Sequence, residues 1–118
     1  MTSARLFHIT TVSEATQAAA SGSYRPVAFD REGFIHCSYA HQVAATANRL
    51  FRGRDELVLL EIDRAALPHP VVDENLEGGA ELYPHIYGLL PMTAVRGVHV
   101  LSLRADGSFS LPPAVTAD

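Results

Sequence analysis

The sequence predicts an α+β architecture, a single small domain with mixed or largely antiparallel sheets and two main helices. Three observations lead there. The 118-residue chain, 47% hydrophobic and 19% charged, has apolar side chains enough for one core. Its apolar segments run strand, helix, strand, helix and then mostly strands, unlike regular βαβ winding. Asp106-Gly107, set between short apolar runs, is a hairpin signal, and hairpins pair antiparallel.

Each element has its own cause. Arg5 to Val12 (RLFHITTV) is β-branched and aromatic, a first strand. Thr11 with Glu14 three residues on is a capping-box spacing that opens an Ala-rich helix over Ser13–Ala20, closed by Gly22. Gly22 to Gly33 has no clean period and reads as a long surface loop. Phe34–Cys37 is a short strand, and Ser38 is an N-cap candidate for the helix after it. That helix carries Val43, Ala47, Leu50 and Phe51 as an amphipathic stripe and ends at Gly53. Glu56–Ile62, containing LVLLEI, is a buried strand, and Asp63–Leu67 is one helical turn before Pro68. Val71–Asp73 is extended, Gly78-Gly79 a turn, Leu82–Gly88 strand-like and Pro91–Val95 a short helical turn. Gly97–Leu103 and Phe109–Leu111 are the strands flanking the hairpin. Residues 1–111 are expected to form the domain, and 112–118 a frayed tail.

Charge narrows the function. Nine basic against thirteen acidic side chains leave a net charge of −4, which argues against general nucleic-acid or membrane-surface binding. All nine basic residues are Arg, so Schiff-base lysines and the P-loop lysine are excluded. An anion site must therefore use Arg, His or backbone N–H groups. Cys37 stands alone, so disulfides within the chain and multi-cysteine zinc sites are excluded. A lone thiol, with no signal-peptide pattern and no long apolar run, points to a soluble cytoplasmic location.

Six histidines are many for this length. His8 (LFHIT), His36 (FIHCS) and His85 (YPHIYG) each sit among apolar neighbours on an expected strand. Core packing with one hydrogen bond is the plain alternative for each. A strand ending at His36 and a helix capped at Ser38 would present unpaired N–H groups to an anion, or Ser38 would simply cap. Cys37 and His36 point to opposite faces, so Cys37 reads as a small buried apolar side chain. No metal-binding spacing is present, and no metal is expected. If Glu81–Gly88 is extended, Glu81, Tyr83, His85 and Tyr87 share one face. That face is a binding surface or a polar solvent face, with Tyr rings as stacking platforms.

LFHITT, GFIHCS with HQV, LVLLEID with VVDEN, and ELYPHIYG, in that order, resemble one small bacterial family, domain-of-unknown-function 952. The resemblance spans about Ala4 to Leu103. That family looks like the ADP-ribosyltransferase-like fold, whose relatives hold NAD in a cleft between two small sheets. The resemblance implies a nucleotide ligand, NAD as the cofactor, with His8, His36, Ser38, Tyr83, His85 and Tyr87 in contact with it. Glu81 and His36 would be catalytic in a transferase of the ADP-ribosyl or RNA 2′-phosphotransferase type. There is no clear Arg, Ser-x-Ser, Glu-x-Glu set, which weighs against transfer to arginine. The alternatives are a non-catalytic nucleotide- or anion-binding module and a protein-interaction domain.

Overall fold

A strand buried on both faces, Leu57–Asp63, organises the molecule. The structure, a computed structural model, describes residues 5–76 and 78–116. In chain order the elements are β1 (Arg5–Thr11), α1 (Val12–Ser21), β2 (Ser23–Tyr24), α2 (Phe29–Glu32), β3 (Ile35–His36) and α3 (Val43–Leu50). They continue with β4 (Leu57–Asp63), β5 (Val71–Glu74), β6 (Tyr83–Ile86), β7 (Leu90–Pro91) and β8 (Val95–Val100). β9 (Ser102–Leu103), β10 (Phe109–Ser110) and α4 (Pro113–Thr116) complete the chain.

The central sheet has the order β1-β4-β8, and the second the order β3-β6-β5. β2-β7 and β10-β9 are two-stranded ribbons, and every one of these pairings is antiparallel. On one face of the central sheet Leu6, Val58, Leu60 and Ile62 meet α1 and the second sheet through Ala15, Ala18, Ile35, Cys37 and Ile86. On the other, Phe7, Ile9, Leu57 and Leu59 meet Val43 and Ala47 of α3, with Phe109 and Val115. Burial on both faces is why LVLLEI reads as a continuous apolar run.

Thr11 caps α1 as expected: its hydroxyl accepts a 3.0 Å bond from the Glu14 N–H. Gly22 ends the helix at φ 89°, a left-handed conformation that costs glycine nothing. The expected loop from Gly22 to Gly33 is a correction, because it holds β2 and the short α2. Tyr24 is buried in the first core and β2 pairs with β7, partners that a local period cannot reveal. Of the expected tail, Pro113–Thr116 makes a helical turn and Val115 is buried in the second core, while residues 117 and 118 lie outside the described residues.

Among the described residues no helix is long and apolar enough to cross a membrane.

Candidate functional site

β1 is an edge strand of the central sheet, and its free edge catches the end of the β3 segment. Phe7 and Ser38 exchange two backbone hydrogen bonds of 2.8 Å each, so one stretch of chain joins both sheets. Where the sheets splay from this bridge lies a cleft of about 420 Å³. His8, His36, Ser38 and His85 line it, with apolar walls from Phe34, Leu50 and Phe51. Three histidines from separated segments thus face one hollow.

His8 is held at both ring nitrogens. Its Nδ1 donates to the His36 carbonyl at 2.6 Å, because a carbonyl can only accept. Its Nε2 lies 2.9 Å from the Tyr24 hydroxyl, which also reaches Thr10 Oγ1 at 3.0 Å and Glu14 Oε2 at 3.4 Å. Burial lowers the His8 pKa, the carbonyl bond and Glu14 pulling the other way, so a neutral ring is favoured. Burial likewise pushes the Tyr24 phenol well above its ordinary range.

His36 and His85 are directly opposite in the β3–β6 register, which puts their rings on one face with centroids 5.2 Å apart. Tyr83, two residues before His85, is 5.2 Å from the His36 ring. Phe34 stacks on His85 at 4.2 Å and 14°, and approaches Tyr87 at 5.6 Å. Only 2% of His85 is exposed. Its Nδ1 lies 2.9 Å from Glu74 Oε1, and the Tyr87 hydroxyl donates to that same oxygen. Those hydrogen bonds, Tyr87 first and then His85, hold the Glu74 carboxyl below its ordinary pKa. Glu74 was not singled out in the sequence, yet VVDEN holds the signal. In the β5–β6 register Glu74 pairs with Tyr83 and Val72 with His85, which puts Glu74 on the histidine face.

Two site expectations need correcting. Ser38 does not cap a helix: its hydroxyl donates to Thr46 Oγ1 at 3.2 Å and its N–H is spent on Phe7. Tyr39 precedes a 3₁₀ turn over Ala40–Gln42 that runs directly into α3. The anion site expected at a Ser38-capped terminus is therefore not formed in that way. Glu81 also stands apart from the three histidines of the cleft. Extended pairing begins only at Tyr83, so alternation does not reach back to Glu81. Its carboxylate accepts from Gln42 Nε2 at 3.2 Å, and it lines a separate 220 Å³ hollow with Tyr83, Arg49 and Asn75. Tyr83 and Tyr87 buttress His36, Phe34 and Glu74 and are not part of the lining of the main cleft.

Cys37 faces the first core, away from His36. Leu50, expected to pack in the core with Val43 and Ala47, is 46% exposed and forms part of the cleft wall. Among the described residues no cluster of three or more His, Cys, Asp or Glu side chains could hold a metal ion. A second hollow of about 220 Å³ shares His8, Ile9 and Phe51 with the main cleft. Thr10, Glu14, Tyr24 and Arg54 are in its lining. The two hollows are neighbours along β1.

A family model described as a protein of unknown function, DUF952, matches residues 9–98, which include His36, Glu74 and His85. The chain belongs to the DUF952 family. This DUF952 protein is similar to protein CC0527 from Caulobacter crescentus, known from an X-ray crystal structure. The two are 31% identical, with 95% of this chain and 98% of that chain covered and a TM-score of 0.84. The solution NMR structure of CC0527 has 31% identity, covers 98% and 100% of the two chains, and has a TM-score of 0.82. No curated protein matches this DUF952 chain.

Proposed function

We propose that the histidine-lined cleft binds a nucleotide, with NAD as the ligand stretched along β1 through both hollows. The observation that carries the reading is the convergence of His8, His36 and His85 on one cleft. A concave site with apolar walls and a few polar groups suits an amphiphilic ligand. Phe34 and Phe51 offer stacking surfaces for a base or nicotinamide ring. The 420 Å³ hollow takes one half of a dinucleotide, and the adjoining 220 Å³ hollow extends the path past His8. There Arg54, in a chain without lysine, supplies a guanidinium for a phosphate. The resemblance to the ADP-ribosyltransferase-like fold supports the same ligand by analogy.

The reading is one of binding. Glu81 lies outside the cleft. An ADP-ribosyl or RNA 2′-phosphotransferase reaction would therefore draw on His36 and His85 at the ligand.

Titration calorimetry with NAD, AMP and nicotinamide mononucleotide tests the proposal. NAD should bind more tightly than either half, since only it spans both hollows. Arg54→Ala and His36→Ala should each weaken it by about tenfold, the effect of losing one hydrogen bond to a charged group. At about 100 times its dissociation constant NAD should stabilise the fold by about 2.7 kcal/mol. Millimolar NAD that gives neither heat nor a thermal shift would overturn the proposal.

A further inference from the structure

The carboxylate that ties down the deepest histidine has a consequence for what the cleft recognises. His85 is buried, stacked on Phe34 and fixed at Nδ1 by Glu74 at 2.9 Å. An ionised carboxylate accepts only, so the Nδ1 proton is committed to Glu74. Two hydrogen bonds, from Tyr87 and His85, keep that carboxyl in its ionised form. The neutral ring is then the tautomer with its lone pair at Nε2. That Nε2 is buried and has no hydrogen-bond partner among the described residues. An unsatisfied buried polar atom costs roughly what a lost hydrogen bond does, so one that persists in a folded chain points to a role or to a bound partner. His85 is in the lining of the main cleft, where a bound donor would meet it.

We infer that Glu74 is a positioning residue that holds His85 with Nε2 as the acceptor for a ligand hydroxyl, a sugar hydroxyl in the nucleotide case. The naming of that hydroxyl rests on the proposed nucleotide reading; the Glu74–His85 arrangement does not. Four features of the site agree. Phe34 covers one face of the imidazole and fixes its plane. The His36 ring stands beside it across the β3–β6 pair. Glu74 is itself located by the β5–β6 register opposite Tyr83. Tyr87 uses the same carboxylate oxygen, so the carboxylate cannot swing away without breaking two hydrogen bonds.

Imidazole nitrogen-15 spectra of the protein, without and then with D-ribose and NAD as separate probes, test this. In the free protein at mildly alkaline pH the spectrum should show His85 protonated at Nδ1 and bare at Nε2. Ribose at high concentration, or NAD, should move the His85 Nε2 resonance in the direction of an accepted hydrogen bond. Glu74→Gln, a partly exposed substitution that keeps the size of the side chain, should mix the tautomers and weaken that response by about tenfold. Its thermal midpoint should stay close to that of the parent, which separates positioning from folding. A free protein with the proton on Nε2 would overturn the inference. So would a His85 Nε2 resonance that neither probe moves, even where NAD shifts other cleft residues. The nucleotide reading fails on a different result: NAD leaving every cleft resonance unchanged while ribose still moves His85.

Discussion

A histidine that is neutral in the folded chain makes stability depend on pH in a known direction. Burial lowers the His8 pKa below its ordinary 6.5. As pH falls, the unfolded chain takes up the proton before the folded chain does. The contribution of neutral His8 is therefore full above about pH 6.5 and is lost as pH drops toward the folded-state value. Urea midpoints measured from about pH 7.5 down to about pH 5 should fall more steeply for the parent than for His8→Gln. Equal slopes would refute this account of His8. Cys37 shows the same physics with the other sign of charge, since burial alone pushes its thiol pKa up and keeps it inert. Gln42 is a third buried polar group, satisfied by reaching the carbonyl of Leu82 at 2.8 Å and the N–H of Tyr39 at 3.0 Å. It pins the chain just ahead of β6, which bears His85.

The elements follow local rules wherever the cause is local. Thr11 caps α1 because a hydroxyl three residues ahead of the Glu14 N–H meets it once the helix turns. Glu14 does not complete the reciprocal box; its carboxylate takes bonds from Thr10 and Tyr24 instead. Thr11→Ala should thus cost about 1 kcal/mol, seen as a lower urea midpoint with an unchanged slope. A loss below a few tenths would mean that water replaces the cap at no cost. The segment after Gly22 shows where local rules end. β2 is two residues long and is held by β7, some 66 positions on in register from Tyr24 to Leu90. No period is measurable in two residues.

At the scale of the molecule the central sheet divides two cores, and the chain end belongs to the second. Val115 is buried there with Phe109 and Leu101. Val115→Ala removes about two methylene-sized groups and should cost about 2 kcal/mol of unfolding free energy. An unchanged denaturation midpoint would mean that Val115 does not pack in the second core. The histidines were legible as candidates because each sits in an apolar strand. Their grouping was legible only by assumption. Glu81 shows the weakness of that step: two residues from Tyr83, it faces Gln42 and a different hollow. Glu74, which bonds His85, was hidden because that contact depends on which strand lies beside β5.

Residue order alone determined the architecture's ingredients: the buried strand LVLLEI, the capped α1 and the Asp106-Gly107 hairpin. Those follow from contacts within a few residues, where side-chain period and turn chemistry act. Tertiary structure decided that β3 pairs with β6, that β6 pairs with β5, and that Ser38 hooks onto β1. Only through these long-range pairings do His8, His36 and His85 come to one cleft, with Glu74 behind the last of them. Strand pairing is chosen by the burial of whole faces against each other, and no short stretch of sequence contains both faces.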